Sequence, residues 1–368
     1  VRLLSLTLQN FRSYPTLRFP CSGGMHLLVG PNGAGKTNVL EAIALLGLGR
    51  SCRGVRMAHL GHWGSSFFRV RGDGKSDHSR ETSVEVVFES QPSRMAYFLR
   101  DGQVPLRKFL GRFPVAIFLP DDLHLFRGSP QLRRRFLNRI LTQVCPWYLP
   151  QLLKYRHVLN QRNGLLKHVP LPSAAEFLPW EQKLAHLGSS ITLARLEFLE
   201  TLQLTFLREL TSIGLLWSDV LFRYMRATVS RDAFALEQEY LSLLQASRAR
   251  DILLRSTTTG VHREDWRIEV QGRDLVTFAS RGEQRLVFLA LLLLAAAYLE
   301  LRRLEKPVVL LDDLFSELDI EHQQILLQML SSFQVFITAT RVPQDAPGEL
   351  WQVESGRVVV GDRACSVP

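Results

Sequence analysis

The stretch Gly30-Pro31-Asn32-Gly33-Ala34-Gly35-Lys36-Thr37 constrains this chain more than any other, because it meets every defined position of the G-x-x-x-x-G-K-[ST] phosphate-binding loop. Such a loop needs a strand before it and a helix after it. Met25 to Val29 is an apolar run of strand length, and from Lys36 to Leu48 the residues Leu40, Ile43, Ala44 and Leu48 are spaced as on a helix. Glycines let the backbone wrap a phosphate with its N–H groups turned inward, at a helix N-terminus whose dipole favours an anion. Lys36 is then placed to reach β- and γ-phosphates, and the Thr37 hydroxyl to ligate Mg²⁺. The simpler reading, a glycine turn beside a surface lysine, leaves the flanking strand and helix unexplained.

A chain of 368 residues has room for about two lobes. Its 46% hydrophobic and 22% charged residues exclude a disordered or fibrous class. The net charge of +10 points to an acidic polymer as partner, although charge alone does not separate nucleic acid from an anionic membrane. Cys21, Cys52, Cys145 and Cys365 are scattered without a C-x-x-C pair, so neither a zinc site nor a disulfide framework is expected, and a reducing cytoplasm fits. The first residues alternate like a strand and lack a signal peptide's apolar centre, so export is not expected.

In chain order, Leu4, Leu6 and Leu8 alternate with polar residues and a second short strand runs through Thr16 to Phe19, a hairpin ahead of the loop. After the first helix comes Gly49-Arg50-Ser51-Cys52-Arg53-Gly54-Val55-Arg56, a basic loop without a carboxylate, in which Arg50 and Arg53 are candidate DNA contacts. Strands are expected at Phe67 to Arg71, Val84 to Glu89, Ala96 to Arg100 and Val115 to Phe118, forming a β-rich subdomain. At Ser129-Pro130 the pattern turns helical, with Leu132, Phe136, Leu137, Ile140, Leu141 and Val144 on one face and Arg134, Arg135, Asn138 and Arg139 on the other. From Phe126 to His168 there are nine Lys or Arg residues and no Asp or Glu. That segregation makes Arg133, Arg134, Arg135 and Arg139 candidate phosphate contacts, against the plainer reading of a solvated face. Long apolar-periodic runs at Trp180 to Ile213 and Phe234 to Leu254 make this second lobe helical, and without sustained heptads no long coiled coil is expected.

The chain then returns to strand-like sequence at Trp266 to Val270, which implies a discontinuous first domain. The uncharged run Leu286 to Leu299 is too short to cross a bilayer comfortably and is read as a buried helix. Val308-Val309-Leu310-Leu311-Asp312-Asp313 has the form of a buried parallel strand that delivers two carboxylates to a sheet edge, a Walker B strand. Asp312 is the candidate Mg²⁺ ligand, and Asp313 the group that orients or activates water. The expected fold is α/β, a mixed sheet around the phosphate loop with a helical second lobe. The expected segments are 1–125 and 255–368 for the ATPase lobe and 126–254 for the helical lobe.

Ser280-Arg281-Gly282-Glu283-Gln284 resembles the signature motif of ABC-type ATPases, and Ser316-Glu317-Leu318-Asp319 resembles their D-loop. Asn10-Phe11-Arg12-Ser13-Tyr14, Gly49-Arg50-Ser51, Pro120-Asp121-Asp122-Leu123, Gly128-Ser129-Pro130, Arg133 to Leu137, Gln161-Arg162-Asn163 and Gly260 to Asp265 together resemble the RecF family of bacterial recombination mediators, whose head is SMC-like. The resemblance spans almost the whole chain. It implies a weak ATPase and DNA-binding clamp using ATP and Mg²⁺, acting on double-stranded DNA and single-strand gap junctions with RecO and RecR to help load RecA. It also implies a homodimer around two nucleotides, each held between one subunit's phosphate loop and the other's signature motif. By this resemblance Arg12, Gly30, Asn32, Gly33, Ala34, Gly35, Lys36, Thr37 and Asn38 form the nucleotide group, Ser280, Arg281 and Gly282 serve the partner's nucleotide, and Gln284 joins Lys36 and Asp313 in the catalytic group. A cytoplasmic, nucleoid-associated place follows.

Two departures matter. Many ABC ATPases carry glutamate where Asp313 stands, so slow hydrolysis is expected, and Thr340 lies where those enzymes often place a switch histidine. The rival reading is the nucleotide-binding subunit of an ABC transporter, which shares the three ATPase motifs and predicts no DNA binding; Arg281, the acid-free basic stretch and the order of the short motifs speak against it.

Overall fold

The computed structural model describes residues 1–21, 23–77, 80–100, 102–226, 230–341 and 347–361, with the side chains of 316 and 317 left out. The described chain forms two units. The first holds Val1–Leu123, Glu209–Leu215 and Arg281 onward, and the second His124–Arg208 and Leu216–Ser280.

Two sheets make the first unit. One is an antiparallel meander of six strands in the order Tyr14–Pro20, Arg2–Phe11, Phe67–Lys75, Glu81–Ser90, Ser93–Leu99, Gly102–Val104. The other is mostly parallel, in the order Arg357–Val360, Glu349–Glu354, Met25–Val29, Gln334–Ala339, Val308–Asp312, Val115–Phe118, with only the first of these running antiparallel to its neighbour. The helix Lys36–Leu48 is apolar nearly all round and buries eleven of its residues, Val39, Leu40, Ile43 and Leu45 among them. That pattern suits a helix packed between two sheets, and its side chains share one core with Leu6, Leu8 and Val70 of the meander and Leu310 and Phe336 of the parallel sheet. Helix Arg281–Arg303 also packs in this unit, with Phe288 edge-on to Phe118 at 5.3 Å. It is long and apolar enough to cross a membrane by composition, yet 78% of that window is buried inside the unit, as read from the sequence.

Register fixes what the parallel sheet presents at its C-terminal edge. Asp312 pairs with Thr338, Thr338 with Leu28, and Ala339 with Val29, the residue before the phosphate loop. Walker B, the neighbouring threonine and the loop therefore emerge side by side, where open α/β sheets bind ligands.

The second unit is built on helices Pro130–Val144, Tyr148–Leu165, Ala233–Ala246 and Arg248–Leu254 and most of Ala174–Ser212. It also carries a three-stranded sheet in the order Arg273–Asp274, Trp266–Val270, Val220–Tyr224. Here the structure departs from the sequence reading. The first domain is discontinuous as expected, but the return falls at Arg281 instead of at 255, because Trp266–Val270 pairs with Val220–Tyr224 and the wholly buried Trp266 packs on Phe136 and Phe222. The short return Glu209–Leu215, at the end of the long helix, was also not foreseen.

Candidate functional site

The phosphate loop leaves its strand at Gly30, where a Cβ would stand 2.2 Å from the Val353 carbonyl oxygen, so only glycine fits beside the neighbouring strand. Gly35 has φ +108°, and a Cβ there would meet Ser13 Oγ at 2.7 Å and the Tyr14 hydroxyl at 2.9 Å. These contacts explain the hairpin motif ahead of the loop. The Tyr14 hydroxyl donates to the Gly35 carbonyl at 3.0 Å, and Asn38 Nδ2 donates to Ser13 Oγ at 2.9 Å. Asn32 and Gly33 stand exposed at the crest, while Ala34 is buried beneath it.

Lys36 is buried and directs Nζ back into its own loop, to the carbonyls of Gly30 at 2.5 Å and Pro31 at 3.0 Å. Burial lowers its pKa, opposed by the carboxylates of Asp313 and Asp312. At the sheet edge Asp312 Oδ1 accepts from both Thr37 Oγ1 and Thr338 Oγ1, each at 2.8 Å, and the Thr338 hydroxyl in turn accepts from the Asp313 N–H at 2.9 Å. Asp313 turns the chain with φ +52° into a short helical turn. A buried ammonium, a hydroxyl already bonded to a buried carboxylate, and a second carboxylate one residue on form a donor set that fits a phosphate chain with a divalent cation.

Arg12 meets the same helix about one turn beyond Thr37. Its guanidinium pairs with Glu41, which is fully buried, at 2.9 Å, and reaches the His59 carbonyl at 3.0 Å. Glu41 also accepts from Ser51 Oγ at 3.0 Å, and Ser51 Oγ from the Arg53 N–H at 3.2 Å. Arg53 Nη2 then lies 3.4 Å from Asp312 Oδ2. Arg53, read from the sequence as a candidate DNA contact, thus also neighbours the candidate metal ligand, with its side chain still partly exposed. Arg50 is half-buried, close enough to Tyr97 to lower its otherwise raised pKa.

Ser280, Arg281 and Gly282 are exposed at the N-terminus of the helix Arg281–Arg303, whereas Gln284 on its first turn is buried. In the D-loop, Asp319 caps the helix Ile320–Met329 by accepting from the His322 N–H at 2.9 Å, and the side chains of 316 and 317 fall outside the described residues.

The arginines of the second unit divide. Arg133 is buried, with Nε and Nη2 on the Asp265 carboxylate at 2.7 and 2.8 Å and Nη1 on the carbonyls of Leu125, Phe126 and Gly128. Arg139 is buried over the Phe136 ring, and Arg134 is half-buried with Nη1 on the Glu264 carbonyl at 2.7 Å. Arg133 and Arg139 are thus not DNA contacts in this fold, and of the four only Arg135 is exposed. Arg162, from the same basic stretch, is completely buried between Glu181 and Asp251. The acids missing locally arrive from distant parts of the chain.

Sequence reasoning missed Glu41, Ser51 and Thr338. Each is a polar residue inside an apolar run or a short loop, and its significance lies in a partner far along the chain.

The profile of the RecF/RecN/SMC N terminal domain matches residues 2–346. A protein of Moorella thermoacetica described as DNA replication and repair protein RecF is 36% identical, over 96% of this chain and 95% of its own length. One of Heliobacterium modesticaldum, described in the same words, is 33% identical over 98% of each. The solved structure of the recombination mediator protein RecF with ATP superposes with a TM-score of 0.90 at 29% identity, covering 98% of this chain and 97% of that one. An SMC head bound to the C-winged helix domain of ScpA, at 15% identity and a TM-score of 0.55, shares the fold. Full-length similarity of this kind answers the transporter alternative: the chain belongs to the RecF family of DNA replication and repair proteins, with an SMC-like ATPase head.

Proposed function

We propose that the chain binds ATP with Mg²⁺ at the phosphate loop and Walker B edge, dimerises around two nucleotides, and holds DNA at single-strand gaps. Its partners in this reading are RecO and RecR, its task is to help load RecA, and its place is the cytoplasm, at the nucleoid. The observation that carries the reading is the edge itself, where Thr37 and Thr338 both donate to Asp312 beside the buried Lys36.

When bound, Mg²⁺ would supply charge neutralisation to the phosphate chain. Thr37 and Asp312 would hold it. Lys36 exchanges its two carbonyl partners for phosphate oxygens, a stronger charge-assisted pairing that its burial favours. Gly33, Ala34 and Gly35 turn backbone N–H groups to the phosphates, with Asn32, Asn38 and Arg12 beside them. Asp313 orients the attacking water and takes its proton, and its short side chain makes hydrolysis slow. Ser280, Arg281 and Gly282, exposed at a helix N-terminus, serve the partner's nucleotide.

The test is complementation. Ser280→Arg leaves the phosphate loop intact and blocks the approach of a partner's nucleotide, whereas Lys36→Ala empties its own loop and keeps the signature motif. Each alone should neither dimerise nor hydrolyse ATP, and their mixture should recover up to about half of the activity per dimer, through one composite site. A mixture as inactive as its parts, with no heterodimer on native mass spectrometry, would overturn the shared-site arrangement.

A further inference from the structure

Trp63 is 96% exposed, the most exposed large apolar side chain among the described residues. It stands on a turn that is firmly held. The His62 N–H donates to the Asn10 carbonyl at 2.8 Å, the Ser65 N–H and hydroxyl to the His62 carbonyl at 3.0 and 2.6 Å, and the Arg12 N–H to the Leu60 carbonyl at 2.8 Å. His62 Nδ1 lies 2.8 Å from the Arg12 carbonyl oxygen, and Gly61 bridges to Phe11 of the meander. An indole held out into water on a fixed backbone has little backbone freedom left to lose when it meets a ligand.

The charge of its segment points to the ligand. Between Glu41 and Asp73 the chain has no carboxylate, and it carries Arg50, Arg53, Arg56, Arg69 and Arg71 with His59 and His62. Several of these are engaged: Arg53 with Asp312, Arg69 with Glu85, Arg71 with Asp73. Arg56 is exposed and makes no ion pair among the described residues, and it opens the short helical turn Met57–Leu60 that leads into the tryptophan. Glu41, the nearest acid in sequence, is buried and saturated by Arg12 and Ser51. A protruding aromatic ring with an exposed cation seven residues before it, in a segment without carboxylates, is the combination with which single-stranded nucleic acids are held, bases on the ring and phosphates on the charge.

We propose that Trp63 is a base-stacking platform for single-stranded DNA, with Arg56 as its neighbouring phosphate contact. The proposal rests on the DNA-binding reading and deepens it, because bases inside a duplex are already stacked on both faces. The ring therefore finds a partner only in a single strand or at the open edge of a gap. It distinguishes gapped from intact DNA at a place where charge alone would not.

The test measures affinity, with ATP and Mg²⁺ present, for a gapped duplex, an oligothymidine strand and a duplex closed at both ends by hairpins. Trp63→Ala should weaken the first two roughly tenfold and leave the third unchanged, with the salt dependence unaltered, and Trp63→Phe should keep most of the affinity. Arg56→Ala should instead lower the log–log salt slope for the single strand by about 0.7. Unfolding temperature should not move for any of the three, since both side chains are exposed. If the unsubstituted protein binds all three DNAs and Trp63→Ala binds them equally well, the platform is refuted while DNA binding stands. If the unsubstituted protein binds none, the wider reading fails and the platform with it. Unchanged DNA affinity with loss of the ATP-dependent dimer would make the turn a protein contact, and an equal loss on the closed duplex would refute the recognition of open bases.

Discussion

Replacing Arg133 by alanine should cost the protein stability and leave its electrostatic hold on DNA untouched. The guanidinium uses all three of its nitrogens: two on the Asp265 carboxylate at 2.7 and 2.8 Å, the third on the carbonyls of Leu125, Phe126 and Gly128 at 2.9, 3.0 and 3.0 Å. Arg133 and Asp265 are 6% and 9% exposed, so solvent screens the pair weakly. Alanine leaves a carboxylate uncompensated in a poorly hydrated place and three carbonyls without a donor. Breaking a buried pair in this way costs about 3–5 kcal/mol. At 2–4 °C per kcal/mol for a unit of this size, the unfolding temperature should fall by roughly 10 °C. Lysine should not rescue it, because an ammonium cannot make the forked pairing and reach the three carbonyls at once. The pair Arg133→Met with Asp265→Leu should recover part of the loss, since it removes the stranded charge. Urea and thermal unfolding measure the first effect. DNA titrations over a salt series, well below the lowered transition, measure the second. An unfolding temperature within 2 °C of the unsubstituted protein, together with a salt slope lower by about one unit, would refute the argument and return Arg133 to the DNA surface.

Arg53→Ala should lower the Mg²⁺ concentration needed for nucleotide binding about two- to fivefold, because the guanidinium competes with the cation for Asp312 from a partly exposed position. Nucleotide titrations against Mg²⁺ check this, and an unchanged requirement would mean that the 3.4 Å pair carries no weight. His262 gives a pH prediction, since burial pushes its imidazole down to about 4 against the Thr257 carbonyl, which favours the charged form. Between pH 6.5 and 4 the unfolded chain then holds a proton that the folded chain lacks, so stability present at neutral pH is lost as the pH falls, by up to ~3 kcal/mol from this group. Urea unfolding at pH 7.5 and pH 5 should show this slope flattened in His262→Gln, and an equal slope in both proteins would show that another group titrates.

What the sequence made legible was local chemistry. The loop's strand and helix lie at Met25–Val29 and Lys36–Leu48 as its spacing predicts, and the Walker B strand ends at Asp312, because apolar period, glycine content and terminal carboxylates are written in consecutive residues. Burial of charge was not legible in the same way. Arg133, Arg139 and Arg162 belong to a stretch that looks like a basic face, yet Asp265, Glu181 and Asp251 arrive from 19 to 132 residues away and bury two of the three as ion pairs. A helix face is solvated or covered according to what packs on it, and composition in one window does not record that. Trp266–Val270 shows the same limit. Its alternation gives the strand, but only pairing with Val220–Tyr224 places it in the second unit. Thr338 is similarly silent in sequence, one threonine in an apolar strand until register sets it opposite Asp312.

Glu41 ties the phosphate-loop helix to two neighbouring segments of the first unit. It lies on the phosphate-loop helix, fully buried, and its two oxygens are taken by Arg12 at 2.9 Å and Ser51 at 3.0 Å. A buried carboxylate stripped of its cation costs several kcal/mol, so the pairing with Arg12 anchors these segments to the helix. Ser51 carries the basic loop and, through the Arg53 N–H, the guanidinium beside Asp312. Arg12 carries the other branch, since its main-chain N–H and carbonyl hold Leu60 and His62 and so fix the turn that displays Trp63. A single buried charge on the phosphate-loop helix thus underlies both the guanidinium beside Asp312 and the turn that displays Trp63.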